Sequence, residues 1–176
     1  MTRESSQMYI TGPAVVKSVT GEEITARELG GAEVHAGISG VAHFVYDDDL
    51  DCLNGVRKLL GYLPQNNDDY SMEVPGVAVD ESSSLADIVP SDSKSAYNVK
   101  DVIASIVDLD SFFEVHKDFA QNIVVGFARI DGKTVGIVAN QSNYIAGSLE
   151  IDSSDKAARF IRFCDCFNIP LVTLID

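Results

Sequence analysis

At 176 residues, with 13 basic residues against 27 acidic ones and a net charge of −14, the chain has too few cations for a nucleic-acid or anionic-membrane partner. A hydrophobic content of 45% is enough to build a buried core, yet no apolar run reaches the roughly 20 residues that cross a bilayer. Residues 1–6 lack the apolar core of a signal peptide, and Cys52, Cys164 and Cys166 have no framework spacing, which predicts reduced thiols in a cytoplasmic protein.

In chain order, residues 7–11 are β-prone. Gly12-Pro13 opens a helix carrying Val15, Val16 and Val19, ended by Gly21. Thr25 with Glu28 forms a capping box for a second short helix that ends at Gly30-Gly31. Residues 41–46 read as a strand. One of Asp47, Asp48 and Asp49 then caps a helix with an apolar stripe of Leu50, Leu53, Val56, Leu59 and Leu60 that stops before Pro64. From Gln65 to Ser95 the pattern dissolves into polar stretches, Asn66-Asn67-Asp68-Asp69 and Asp80-Glu81-Ser82-Ser83-Ser84, and reads as a linker on which Leu85, Ile88 and Val89 can still pack.

A helix follows on Val99, Val102, Ile103 and Ile106, then a short strand at residues 112–115. Residues 122–130 and 134–139 read as the arms of a hairpin around the two-residue turn Asp131-Gly132. The return arm is almost continuously apolar, which predicts burial on both faces. Asp152 or Ser153 caps a helix with Ala157, Phe160, Ile161 and Cys164 inward. Asn168-Ile169-Pro170 breaks it before a second buried strand, Leu171-Val172-Thr173-Leu174-Ile175. This β-loop-α-β unit places ligand chemistry just past the carboxyl ends of its strands, so the chain is expected to stop where an active-site loop begins.

Many short words in fixed order carry a resemblance. They are Ser6-Gln7-Met8-Tyr9-Ile10-Thr11-Gly12-Pro13, Glu28-Leu29-Gly30-Gly31-Ala32 with His35, Ser39-Gly40-Val41-Ala42-His43, Tyr62-Leu63-Pro64-Gln65-Asn66-Asn67, Asn122-Ile123-Val124, Val135-Gly136-Ile137-Val138-Ala139-Asn140-Gln141 and the run from Ser154 to Cys164. Together they resemble the carboxyltransferase (beta) subunit of biotin-dependent acyl-CoA carboxylases, of the propionyl-CoA and methylmalonyl-CoA type. The resemblance implies an α/β fold, a partial ClpP/crotonase-like ββα superhelix. Residues 1–64 would be the end of an amino crotonase-like domain, 65–95 the interdomain linker and 96–176 the start of a carboxyl crotonase-like domain. It implies carboxyl transfer between carboxybiotin and a short-chain acyl-CoA. The biotin would ride on a biotin carboxyl carrier protein loaded by biotin carboxylase, and the subunits would form homo-oligomers. Family members stabilise two developing oxyanions with pairs of peptide N–H groups. Those turns lie before the segment matching Gln7 and after the one matching Asp176, so the resemblance leaves this chain with no catalytic residue of its own and the status of an incomplete fragment.

The resemblance also offers substrate or biotin-side contacts. Gly30, Gly31, Ala32 and His35 line the acyl-CoA or biotin canyon, or else form a helix C-cap and a packing turn. Asn140, Gln141, Ala146 and Gly147 meet biotin after a buried strand, or else make a turn that Gly147 permits. Ser142 falls where the family usually has proline. His43 reads as a hydrogen-bonded core histidine. Lys156, Arg159 and Arg162 read as solvated or paired with Asp152, Asp155 and Asp165, with CoA phosphates as the other choice. Cys164 and Cys166, two apart on a helix, are no metal pair, and the Asp47-Asp48-Asp49 run is a helix start, so no metal is expected. Two other functions compete with the enzyme. One is a non-catalytic truncated or assembly module that needs a partner chain, and the other is a free-standing acyl-CoA binding domain.

Overall fold

A computed structural model describes residues 1–79, 85–92 and 95–176. The polar run Asp80-Glu81-Ser82-Ser83-Ser84 lies outside them. Two compact units emerge, one of residues 1–57 with 116–119, the other of residues 58–115 with 120–176.

In the first unit α1, Pro13–Thr20, starts on Pro13, whose missing N–H is no loss there, and ends on left-handed Gly21. The capping box of Thr25 and Glu28 starts α2, Ala26–Gly30, and a further helix that periodicity missed, α3, Ala32–Gly37, follows at once. Residues 7–11 form no strand; only Gln7 bridges to Gly31. The strand expected at residues 41–46 is also absent. A strand needs successive partners on one neighbour. Here the Ala42 N–H donates to His35 O, the His43 carbonyl accepts from His116, and Tyr46 pairs with residues 1–3, so no ladder forms. His43 is accordingly exposed rather than a core residue; its ring stacks on His116 at 4.1 Å, and its Nδ1 donates to Val41 O at 3.2 Å.

The helix expected after the aspartate run is α4, Asp49–Leu60, with Asp48 Oδ1 accepting the Asp51 N–H at 2.8 Å. Its apolar stripe is mostly exposed: Leu50 is 64% exposed, Leu53, Val56 and Leu60 are exposed too, Leu59 is half-buried, and the buried residue is Gly55, packed against Tyr46. Amphipathic periodicity marks a face that can be covered, and among the described residues most of this one is left exposed.

The second unit contains α5, Leu85–Ile88, inside the stretch read as patternless, and α6, Val99–Ala104, capped by Asn98. Its sheet runs β1, Phe113–Val115, β2, Ile123–Ile130, β3, Lys133–Asn140, and β4, Leu171–Leu174, in that spatial order. The first three strands are antiparallel, and β4 is parallel to β3. Asp131 and Gly132 have φ of 50° and 75°, the double left-handed turn that matches strand twist. Val124, Ala128, Val135, Ile137 and Ala139 pack with α6 residues Val99 and Ile103 on one face. On the other, Phe127 meets Phe160 of α7, Ile151–Cys166, at 5.1 Å between ring centroids. Gly136 is what lets α7 approach, since a Cβ there would lie 2.7 Å from Cys164 Sγ. Burial of β3 on both faces is thus as expected. The second strand is not buried: β4 has a single neighbour in the sheet, Leu171 is exposed and Ile175 just beyond it is 85% exposed. The cap of α7 falls at Glu150, not at Asp152 or Ser153; Ser153 sits in the third helical position and reaches back to accept the Glu150 N–H at 2.7 Å. No helix among the described residues is long and apolar enough to cross a membrane.

A buried carboxylate secures the hairpin. Asp108 accepts the Asp131 N–H at 2.9 Å and the Gly132 N–H at 2.8 Å. Removing it leaves two amides at the turn short of an acceptor, so Asp108→Ala is expected to cost about 1–3 kcal/mol in urea unfolding. The Cys164 thiol is pushed up to about 12 from 9.0 by burial. The folded chain therefore keeps that proton after the unfolded chain has lost it, and stability falls as pH rises from 9.0 towards about 12. Iodoacetamide at about pH 8 should label exposed Cys166 and spare Cys164 in the native protein, as read by mass spectrometry.

Candidate functional site

In the first unit, Gly30, Gly31 and Ala32 are buried where α2 gives way to α3. A side chain at Gly30 would strike the Met8 carbonyl, which accepts from His35 Nε2 at 2.6 Å. A carbonyl cannot donate, so Nε2 carries the proton and Nδ1 accepts from Ser39 Oγ at 2.8 Å. Both ring nitrogens of His35 are thereby occupied within the unit.

In the second unit, β3 and β4 run parallel, so their carboxyl ends open on the same side. Ligands of open α/β sheets lie in the crevice at that edge. A cavity of about 420 Å³ lies there, lined by Pro90, Tyr97, Ser142, Ala146 and Asp176 among others. Ser142 and Ala146 come from the β3–α7 connection, and Asp176 follows β4. The Ser142 hydroxyl donates to Tyr97 O at 3.0 Å and accepts the Tyr97 N–H at 3.2 Å. A proline at this position could do neither. Tyr97 is half-buried, and its phenol is held above its usual range, first by burial and then by the Asp176 carboxylate beside it.

Of the four residues expected here, Ala146 faces the cavity. Gln141 is 2% exposed and spends its amide inward, accepting the Val99 N–H at 3.1 Å and donating to Asn98 Oδ1 at 2.7 Å. Asn140 Nδ2 donates to Gly147 O at 2.8 Å. Ile145, Ala146 and Gly147 have φ of 51°, 51° and 69°, three consecutive left-handed residues in the 3₁₀ turn Ile145–Gly147. Lys156, read as solvated or ion-paired, is not solvated: it is 2% exposed, with Nζ donating to Ala120 O at 3.3 Å. Tyr97, Ser142 and Asp176 were not expected at the site, because they meet only when the chain before α6, the loop after β3 and the end of β4 converge. No group of three or more His, Cys, Asp or Glu able to hold a metal occurs among the described residues.

The pattern of the carboxyl transferase domain matches residues 1–176. The chain belongs to the carboxyl transferase family. Over all of its length it is 51% identical to the methylmalonyl-CoA decarboxylase subunit alpha of Veillonella parvula, of which it covers 35%. It is 53% identical to the methylmalonyl-CoA carboxyltransferase 12S subunit of Propionibacterium freudenreichii subsp. shermanii, covering 34% of that subunit. The chain thus spans about a third of the length of these relatives. A crystal structure of transcarboxylase 12S, a hexamer assembly with hydrolysed methylmalonyl-coenzyme A bound, superposes with a TM-score of 0.95 at 53% identity, over 100% of this chain and 35% of that one. A single-chain long-chain acyl-CoA carboxylase shares the fold, with a TM-score of 0.83 at 24% identity, over 99% of this chain and 17% of that one. The carboxyltransferase fold in this stretch is the mixed sheet with its hairpin, crossover helix and parallel strand, the ββα repeat of a partial crotonase-like superhelix.

The phenol of Tyr97 yields a direct check. Among the six tyrosines, Tyr97 should titrate above the free-phenol value of about 10, and Asp176→Asn should bring its midpoint down without abolishing the part due to burial, as followed by NMR of ring-labelled tyrosine.

Proposed function

We propose that this chain forms part of a carboxyltransferase that moves a carboxyl group between carboxybiotin and a short-chain acyl-CoA of the propionyl type. The observation that carries the reading is the match of the carboxyl transferase domain from residue 1 to residue 176, alongside relatives above 50% identity that act on methylmalonyl-CoA. In this reading residues 1–64 close an amino crotonase-like domain, 65–95 link, and 96–176 open a carboxyl one. Biotin arrives on a carrier protein charged by biotin carboxylase, copies of the subunit assemble, and the setting is the cytoplasm.

The cavity at the carboxyl ends of β3 and β4 suits the biotin side. Its volume lies inside the range of about 300–1,000 Å³ typical of ligand pockets. Its walls alternate apolar Val89, Pro90 and Ala146 with the Tyr97 hydroxyl and the Asp176 carboxylate, a mixture that fits an apolar bicycle bearing a polar ureido edge. The bound group supplies the carboxyl that is transferred. The chain's own residues bind and orient it: Ala146 as wall, with Asn140, Gln141 and Gly147 shaping the loop behind. Gly30, Gly31, Ala32 and His35 are assigned to the packing beneath a substrate surface, since the His35 ring is fully engaged.

A second reading, a module that depends on a partner chain, is favoured by the uncovered stripe of α4 and the exposed face of β4. Sedimentation of the isolated chain distinguishes it: self-association or capture of a partner supports it, and a well-behaved monomer counts against it. For the main reading, the assembled enzyme with a carboxylated biotin carrier should carboxylate propionyl-CoA and leave a long-chain acyl-CoA untouched. Failure to transfer to any short acyl-CoA refutes it.

A further inference from the structure

We infer that Asn122 is a positioning residue for the β3–α7 ligand loop, gripping both ends of it from a site that never touches the ligand; the inference rests on the biotin-side reading of that loop. Asn122 lies just before β2 and is 1% exposed. Its main-chain carbonyl accepts the Gln141 N–H at 2.9 Å, where the loop leaves β3. Its side-chain Nδ2 donates to Ser148 O at 2.7 Å, where the loop returns towards α7. One residue therefore fixes the separation of the two ends, and Asn140 adds a second tie to Gly147 O.

Between the ties, Ile145, Ala146 and Gly147 are all left-handed. Glycine tolerates this conformation. A β-branched isoleucine and an alanine do not, and such a run persists only where the surroundings over-determine it. The two carboxamides pull consecutive carbonyls, those of Gly147 and Ser148, towards β2 and β3 and so hold the turn that places Ala146 on the cavity wall. Carboxamide chemistry is required at residue 122. A carboxylate of the same shape would set oxygen against the Ser148 carbonyl, and an aliphatic side chain would leave that carbonyl without its donor. Asn122 stands outside the sequence signal for the site, because Ser148 is 26 residues away.

The test is Asn122→Asp in the assembled carboxyltransferase, with Asn122→Ser, which shortens the donor without adding charge, as the second variant should the first not fold. KM for the carboxylated carrier should rise about tenfold, with kcat and the KM for acyl-CoA within about twofold. Hydrogen exchange at the Gly147 and Ser148 amides should accelerate while β2, β3 and α7 keep their protection. An unchanged carrier KM, or a uniform loss across both substrates that tracks a lower Tm, overturns the positioning role. Unaltered loop protection overturns the clamp itself. A wild-type enzyme that transfers nothing refutes the functional reading, and the exchange measurement still decides the clamp.

Discussion

The register of the β2–β3 hairpin is the constraint on which the second unit depends. Side chains alternate faces along a strand, so a slip of one residue would exchange every inward group for an outward one. The left-handed pair Asp131-Gly132 sets that register, and Asp108 holds the pair from outside the hairpin. With it fixed, Gly126 opposes Ile137 on the α6 face and Phe127 opposes Gly136 on the α7 face. The gap at Gly136 admits Cys164 and Phe160, which seats α7 and brings the chain back for β4 beside β3. The same register ends β3 at Asn140 and so decides where the β3–α7 loop departs.

That loop is built from buried polar groups more than from apolar contact. Asn122, Gln141 and Ser153 are all buried and all hydrogen-bonded to backbone. Buried carboxamides are costly when unmatched and rigidifying when fully matched. Their matching here fixes the conformation of the loop through its own hydrogen bonds. A serine at residue 142 extends the arrangement, joining the loop to the segment ahead of α6 through two hydrogen bonds that a proline would forgo.

The first unit follows a different logic. Its helices are specified locally, by Pro13, by the Thr25–Glu28 box and by the Asp48 cap, yet they bury little: α1 has no buried residue, and α4 buries Gly55. Local signals can start and stop a helix, but most helical stability comes from packing an apolar face. The exposed leucines of α4 therefore add little packing to that helix among the described residues.

The amino-acid sequence alone determined the caps of α1, α2 and α4, the hairpin and its turn, the double-sided burial of β3 and the carboxyltransferase family, because each is written in neighbouring residues or in short words of fixed order. It misjudged residues 41–46, the α7 cap and the burial of β4, where local pattern is the same whether a neighbour is present or not. Only tertiary structure decided that, among the described residues, β4 pairs with β3 alone and most of the α4 stripe is exposed, and that Lys156 is drawn inward to Ala120. The cavity of Tyr97, Ser142, Ala146 and Asp176 belongs to the same class. Its walls come from three separated segments, and convergence across such distances is fixed by how sheet and helices pack, which no local propensity encodes.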